Sequence, residues 1–115
     1  MEVYDRLGEG MEIIEYNKLV RDKIPEIIEA DGKTPIIKSI DGLKLKQALV
    51  KKLTEEGEEY LESLETEEIA DLLEILHGLM EAQGVSYEEV EGIRLGKKEE
   101  RGGFSQGLIL REVQS

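Results

Sequence analysis

Residues 43–80 read LKLKQALVKKLTEEGEEYLESLETEEIADLLEILHGLM, and two helical periods stand in them back to back. In the first, Leu45, Ala48, Leu49, Lys52, Leu53, Glu56 and Tyr60 recur at three- and four-residue steps, which predicts a helix over about 43–61. In the second, Ile69, Leu72, Leu73, Leu76 and Met80 form one stripe, and Ile75 and Leu79 extend a neighbouring one. Thr66 can cap this helix, with Glu67 and Glu68 in the first turn, where the helix dipole favours acids. A helix apolar over so much of its girth is expected to be buried between neighbours of its own chain and of a second chain.

Outward from this pair, Gly84 closes the second helix. Ser86 with Glu89 forms a capping box for a third, from Tyr87 to about Leu95. Upstream, Pro25 suits the first turn of a short helix reaching Ala30, with Asp31-Gly32 as its stop. Residues 33–41 read as a loop or a short extended piece. Gly102-Gly103 marks a turn, and the aliphatic run Gly107 to Val113 predicts one short strand. Residues 1–10 are expected to be a mobile extension, with Met11 a candidate translation start, and residues 11–115 a single domain. The expected class is an all-α helical bundle with a short C-terminal extended segment.

Composition narrows the function. The 115 residues hold 27 acids and 15 Lys or Arg, a net charge of −12. Ten of the acids fall in residues 55–74, where there is no base; the rest of the chain is close to neutral. So acidic a chain is not expected to bind a nucleic-acid polymer, which is held by basic surfaces. The absence of Cys excludes disulfides and thiolate metal sites. No apolar run is long enough to cross a bilayer, and the charged start does not resemble a signal peptide, so a cytoplasmic location and no membrane partner are expected.

The acids sit where the helical periods place core residues. Glu56 lies between Leu53 and Tyr60 on the inward stripe, with Glu59 one step further. Glu68 and Asp71 are likewise three apart, in line with Ile75 and Leu79. An antiparallel hairpin would bring all four carboxylates to its tip, facing inward. At about 4 Å and an effective dielectric near 20, each like-charge pair costs roughly 4 kcal/mol, against a typical domain stability of about 5–15 kcal/mol. A cation relieves this, and an all-oxygen donor set points to a hard divalent ion, Mg2+ or Mn2+. The bases flanking the acidic segment would then hold phosphate.

Lys52-Leu53-Thr54-Glu55-Glu56-Gly57-Glu58-Glu59, followed by Glu68-Ile69-Ala70-Asp71, resembles the ExxE…ExxD signature of the all-α nucleoside triphosphate pyrophosphatases. That superfamily includes MazG-like enzymes, dimeric dUTPases and phosphoribosyl-ATP pyrophosphohydrolase. Residues 16–25 (YNKLVRDKIP) and the Lys97 to Phe104 segment with its Arg-Gly-Gly-Phe are similar to the two ends of a small phosphoribosyl-ATP pyrophosphohydrolase-like branch. The resemblance spans roughly residues 14–113. It implies metal-dependent hydrolysis of the α–β phosphoanhydride of a nucleoside triphosphate, including non-standard ones, to a monophosphate and pyrophosphate, by a homodimer or higher homo-oligomer.

Carried over by position, the resemblance makes Glu56, Glu59, Glu68 and Asp71 metal ligands and Glu55 the group that orients or deprotonates the attacking water. Lys52, Lys97 and Arg101 become phosphate-binding cations. Lys18, Arg21 and Lys23 match the opening motif and join that role by their charge. The gap between the two motifs is shorter than in many MazG proteins, so base preference does not carry over.

Two rival readings are a phosphoribosyl-ATP pyrophosphohydrolase and a non-catalytic acidic helical module that binds metal or a partner. Taken singly, each feature also has a plain structural explanation. Glu58, Glu62 and Glu65 suit a solvated face, Lys97 to Glu100 suit surface ion pairing, and His77 in its leucine-rich helix suits packing.

Overall fold

The computed structural model describes residues 2–4 and 10–115. The chain divides between Ile40 and Asp41 into two compact units. In the first, strands β1 (Glu2–Tyr4) and β2 (Gly10–Glu12) pair antiparallel with Val3 opposite Met11, and helix α1 (Ile24–Ala30) follows. The expected extension over 1–10 lies mostly outside the described residues; of its described part, Glu2–Tyr4 forms one arm of this ribbon and Gly10 begins the other. Three-residue strands leave little periodicity to read. Pro25 stands in the first turn of α1, where its missing N–H costs nothing.

The second unit is all helix and loop: α2 (Gly42–Ser63), α3 (Thr66–Gln83) and α4 (Tyr87–Arg101). Only Leu64 and Glu65 separate α2 from α3, which folds them into a helical hairpin. Leu64 takes the left-handed conformation (φ 55°), and its N–H reaches the Tyr60 carbonyl at 2.7 Å. The Ser63 hydroxyl accepts from the Glu65 N–H at 3.2 Å, so side chain and backbone together close the bend.

The hairpin core is small. Leu49 (7% exposed) and Ile75 (5%) are its buried apolar side chains. Leu49 lies against Gly78, where a Cβ would stand 3.1 Å from a Leu49 methyl, so the two helices pack tightly there. On the far side of α3, Ile69, Leu73 and Leu76 remain exposed. Gly84 ends α3 in the left-handed conformation (φ 73°), the conformation glycine adopts without strain. Ser86 then starts α4 by accepting the Glu89 N–H at 3.1 Å, as the capping pattern predicts.

Two sequence expectations need correction. Helix α4 runs to Arg101 rather than stopping near Leu95, because neither Gly92 nor Gly96 meets a chain reversal and Lys98 and Arg101 favour a helix C-terminus. The strand expected after Gly103 does not form. Residues 108–115 carry no regular structure, and a lone strand has no ladder to join. Among the described residues, no helix is long and apolar enough to cross a membrane.

Candidate metal centre

Leu49 and Gly78 set the register of the hairpin. Seven residues on from Leu49 comes Glu56, and seven back from Gly78 comes Asp71. Both lie two turns, or about 10 Å, closer to the tip. The carboxylates therefore meet because an apolar contact deeper in the hairpin aligns them.

Glu56, Glu68 and Asp71 form the cluster. Each is partly buried, and each offers an oxygen such that all three lie within 4.8 Å of one another. These three acidic residues can hold a metal ion. Two oxygens, Oε2 of Glu56 and Oε2 of Glu68, are buried with no hydrogen-bond partner. A buried, unpartnered carboxylate oxygen is costly, and a hard cation between the helices would satisfy both. The donor set, oxygen throughout, fits such an ion.

The cluster is partly compensated by its own chain. Lys52, one turn before Glu56, brings Nζ to 3.7 Å from Glu56 Oε1, with both side chains substantially covered. That ammonium offsets part of the negative charge at Glu56.

The other expected site residues are placed as follows. Glu59, anticipated on the inward face, is exposed and stands outside the trio. Residues three apart on a helix differ by about 60° in direction, and Glu56 takes the inward position of the two. Glu55 is half-buried beside Glu56 in sequence. Lys97 and Arg101 are exposed on the last turns of α4, and Lys18, Arg21 and Lys23 are exposed in the N-terminal unit.

Two contacts tie side chains on α4. His77 of α3 stacks on Tyr87 of α4, ring centroids 5.4 Å apart and 11° from parallel, which gives the lone histidine the packing role. Arg94 donates from Nε to both Glu91 oxygens, at 3.1 and 3.0 Å, and from Nη2 as well. That guanidinium, aided by a Tyr87 hydrogen bond, holds the Glu91 carboxyl below its ordinary value. The i,i+3 spacing of Glu91 and Arg94 was the available signal.

None of the models of known protein families matches this chain, and comparisons with curated proteins and with solved structures likewise give no match.

Proposed function

We propose that this chain is a Mg2+-dependent nucleotide pyrophosphohydrolase that works as a homo-oligomer, with Mn2+ able to substitute. One observation carries the reading: Glu56, Glu68 and Asp71, from two adjacent helices, converge within 4.8 Å and two of their oxygens are buried without partners. The paired motif on those helices supplies the reaction class, and the flanking cations supply the affinity for phosphate.

In this reading Glu56, Glu68 and Asp71 hold the ion, which, when bound, offsets negative charge on the phosphate oxygens. A triphosphate carries about as much negative charge as the pocket and enters only with that offset. Glu55 orients the attacking water and takes its proton. Lys52, already at the rim of the trio, turns from Glu56 to a phosphate oxygen and stabilises charge on the leaving pyrophosphate. Within the second unit, Glu59 as a further ligand and Lys97 and Arg101 as phosphate contacts complete the proposed set.

The test is pyrophosphate release across a panel of standard and modified nucleoside triphosphates and phosphoribosyl-ATP, with and without Mg2+, for the native chain, Glu68→Gln and Asp71→Asn. Metal-dependent release that both substitutions abolish supports the reading. Turnover of phosphoribosyl-ATP alone selects the narrower enzyme.

The Lys52–Glu56 pair favours the non-catalytic module as the second reading, since a resident ammonium offsets some of the charge without an ion. No release from any substrate, together with metal binding, would establish that module.

A further inference from the structure

A groove of about 560 Å3 runs between α3 and α4, on the surface left exposed by the hairpin. Its walls are mostly apolar: Leu73, Leu76 and Met80 from α3, and Val85, Tyr87 and Val90 from the link and α4, with the Glu91–Arg94 pair at one side. At 100° per residue, Leu73, Leu76 and Met80 lie about 140–200° around the α3 axis from Asp71. The groove therefore faces away from the acidic trio and is not part of the proposed nucleotide site.

The same chain carries an apolar segment with nothing against it. After Gly102 the backbone leaves α4, and Phe104 is fully exposed. Leu108, Ile109, Leu110 and Val113 are 81–85% exposed. An open apolar groove and an open apolar strap on one polypeptide are mutual complements, always present in equal number.

We infer that residues 104–113 of one chain dock in the α3–α4 groove of a second copy, and that the exchange is reciprocal. Three observations favour a second copy over an unrelated partner. The first is charge. Like chains of net charge −12 repel, and the acids concentrate at residues 55–74, whereas the strap holds only Arg111 and Glu112 and the groove side holds Arg94 with Glu91. Tail and groove are where two such chains can touch without bringing acid against acid, and Arg111 and Glu112 can pair with Glu91 and Arg94.

The second is the sparse core: among the described residues Leu49 and Ile75 are the buried apolar side chains, which is little internal burial to hold them. The third is position. The strap leaves from the far end of α4 and stays out of its own chain's groove, and a reciprocal exchange closes with two-fold symmetry.

The inference rests on the homo-oligomer of the proposed function, but its test reads mass, not turnover, so its failure is distinguishable from a failure of the catalytic reading. Light scattering after size exclusion should give twice the 13.0 kDa chain mass. Leu108→Asp with Leu110→Asp should give single chains with unchanged helical circular dichroism, since both positions are exposed. Leu76→Asp in the groove should do the same. Mixing the tail variant with the groove variant should restore a heterodimer, because one intact tail still meets one intact groove, with affinity at least tenfold below that of the native pair.

A native chain that runs as a monomer overturns the inference. So does a dimer indifferent to the tail substitutions, or one broken only by Leu76→Asp, which would mean that the helices pack face to face. Failure of the mixed variants to associate at any concentration overturns it too.

Discussion

Leu49 lies directly over Gly78, a Leu49 methyl 3.1 Å from the place a Cβ would occupy. That contact joins α2 to α3 two turns below the carboxylates. It makes a glycine of α3 a determinant of whether the acids meet.

Gly78→Val should therefore wedge the helices apart. Overpacking a closed contact typically costs about 1–3 kcal/mol, and the cost should appear as a lowered melting temperature with loss of metal response. Gly92→Ala is the control. It lies in α4 with nothing near its Cβ position, so removing the backbone freedom of glycine should stabilise by roughly 0.5–1 kcal/mol.

Glu68→Gln should raise stability in metal-free buffer at neutral pH. Two terms compete. Each like-charge pair removed is worth up to roughly 4 kcal/mol at close approach. Losing an acid from the first turn of α3 costs about 0.3–1 kcal/mol. The repulsion term is larger, and Oε2 of Glu68 has no partner to lose. With Mg2+ or Mn2+ at a hundred times its Kd, the native chain should gain about 2.7 kcal/mol and the variant far less. Thermal melts with and without metal measure both.

These predictions rest on features of unequal legibility. Helices α1, α2 and α3 were readable because Pro25, the Leu45 to Tyr60 period and the Ile69 to Met80 stripe are local signals. The carboxylate pairing was readable for Glu56, Glu68 and Asp71, since helical spacing fixes which side chains share a face. Glu59 was expected to face inward with Glu56 and is exposed, because a three-residue step carries a side chain about 60° round the helix, a difference that the spacing rule blurs. The tail was misread because aliphatic composition marks a segment that wants a partner and does not say where the partner is. The ribbon of Glu2–Tyr4 and Gly10–Glu12 was too short to leave a pattern.

Lys52→Gln should separate binding from charge compensation. Without the ammonium 3.7 Å from Glu56, the trio is more negative, so metal affinity is kept or raised. If Lys52 meets phosphate, KM for the nucleotide should rise roughly tenfold or more, the loss of one charge-assisted bond of about 1.5–3 kcal/mol. Unchanged KM with weaker metal binding would remove Lys52 from the phosphate site.

Acid should loosen α4 through Glu91. Hydrogen bonding from Arg94 holds this carboxyl below its ordinary value, so its contribution is present above the unfolded-state value near 4.5 and is lost as pH falls through the lower folded value. Helical circular dichroism titrated from neutral to acid pH should show that loss in the native chain and not in Glu91→Gln. The pair is solvent-exposed, so high salt should shrink the difference between the two.

The two-residue link holds a leucine, not a glycine, in left-handed geometry, at a cost of about 1–2 kcal/mol. So short a joint has no slack. One inserted residue would alter the bend and with it the alignment of Glu68 and Asp71 with Glu56. The spacing of the acidic trio thus depends on a backbone angle at Leu64, a residue outside the trio.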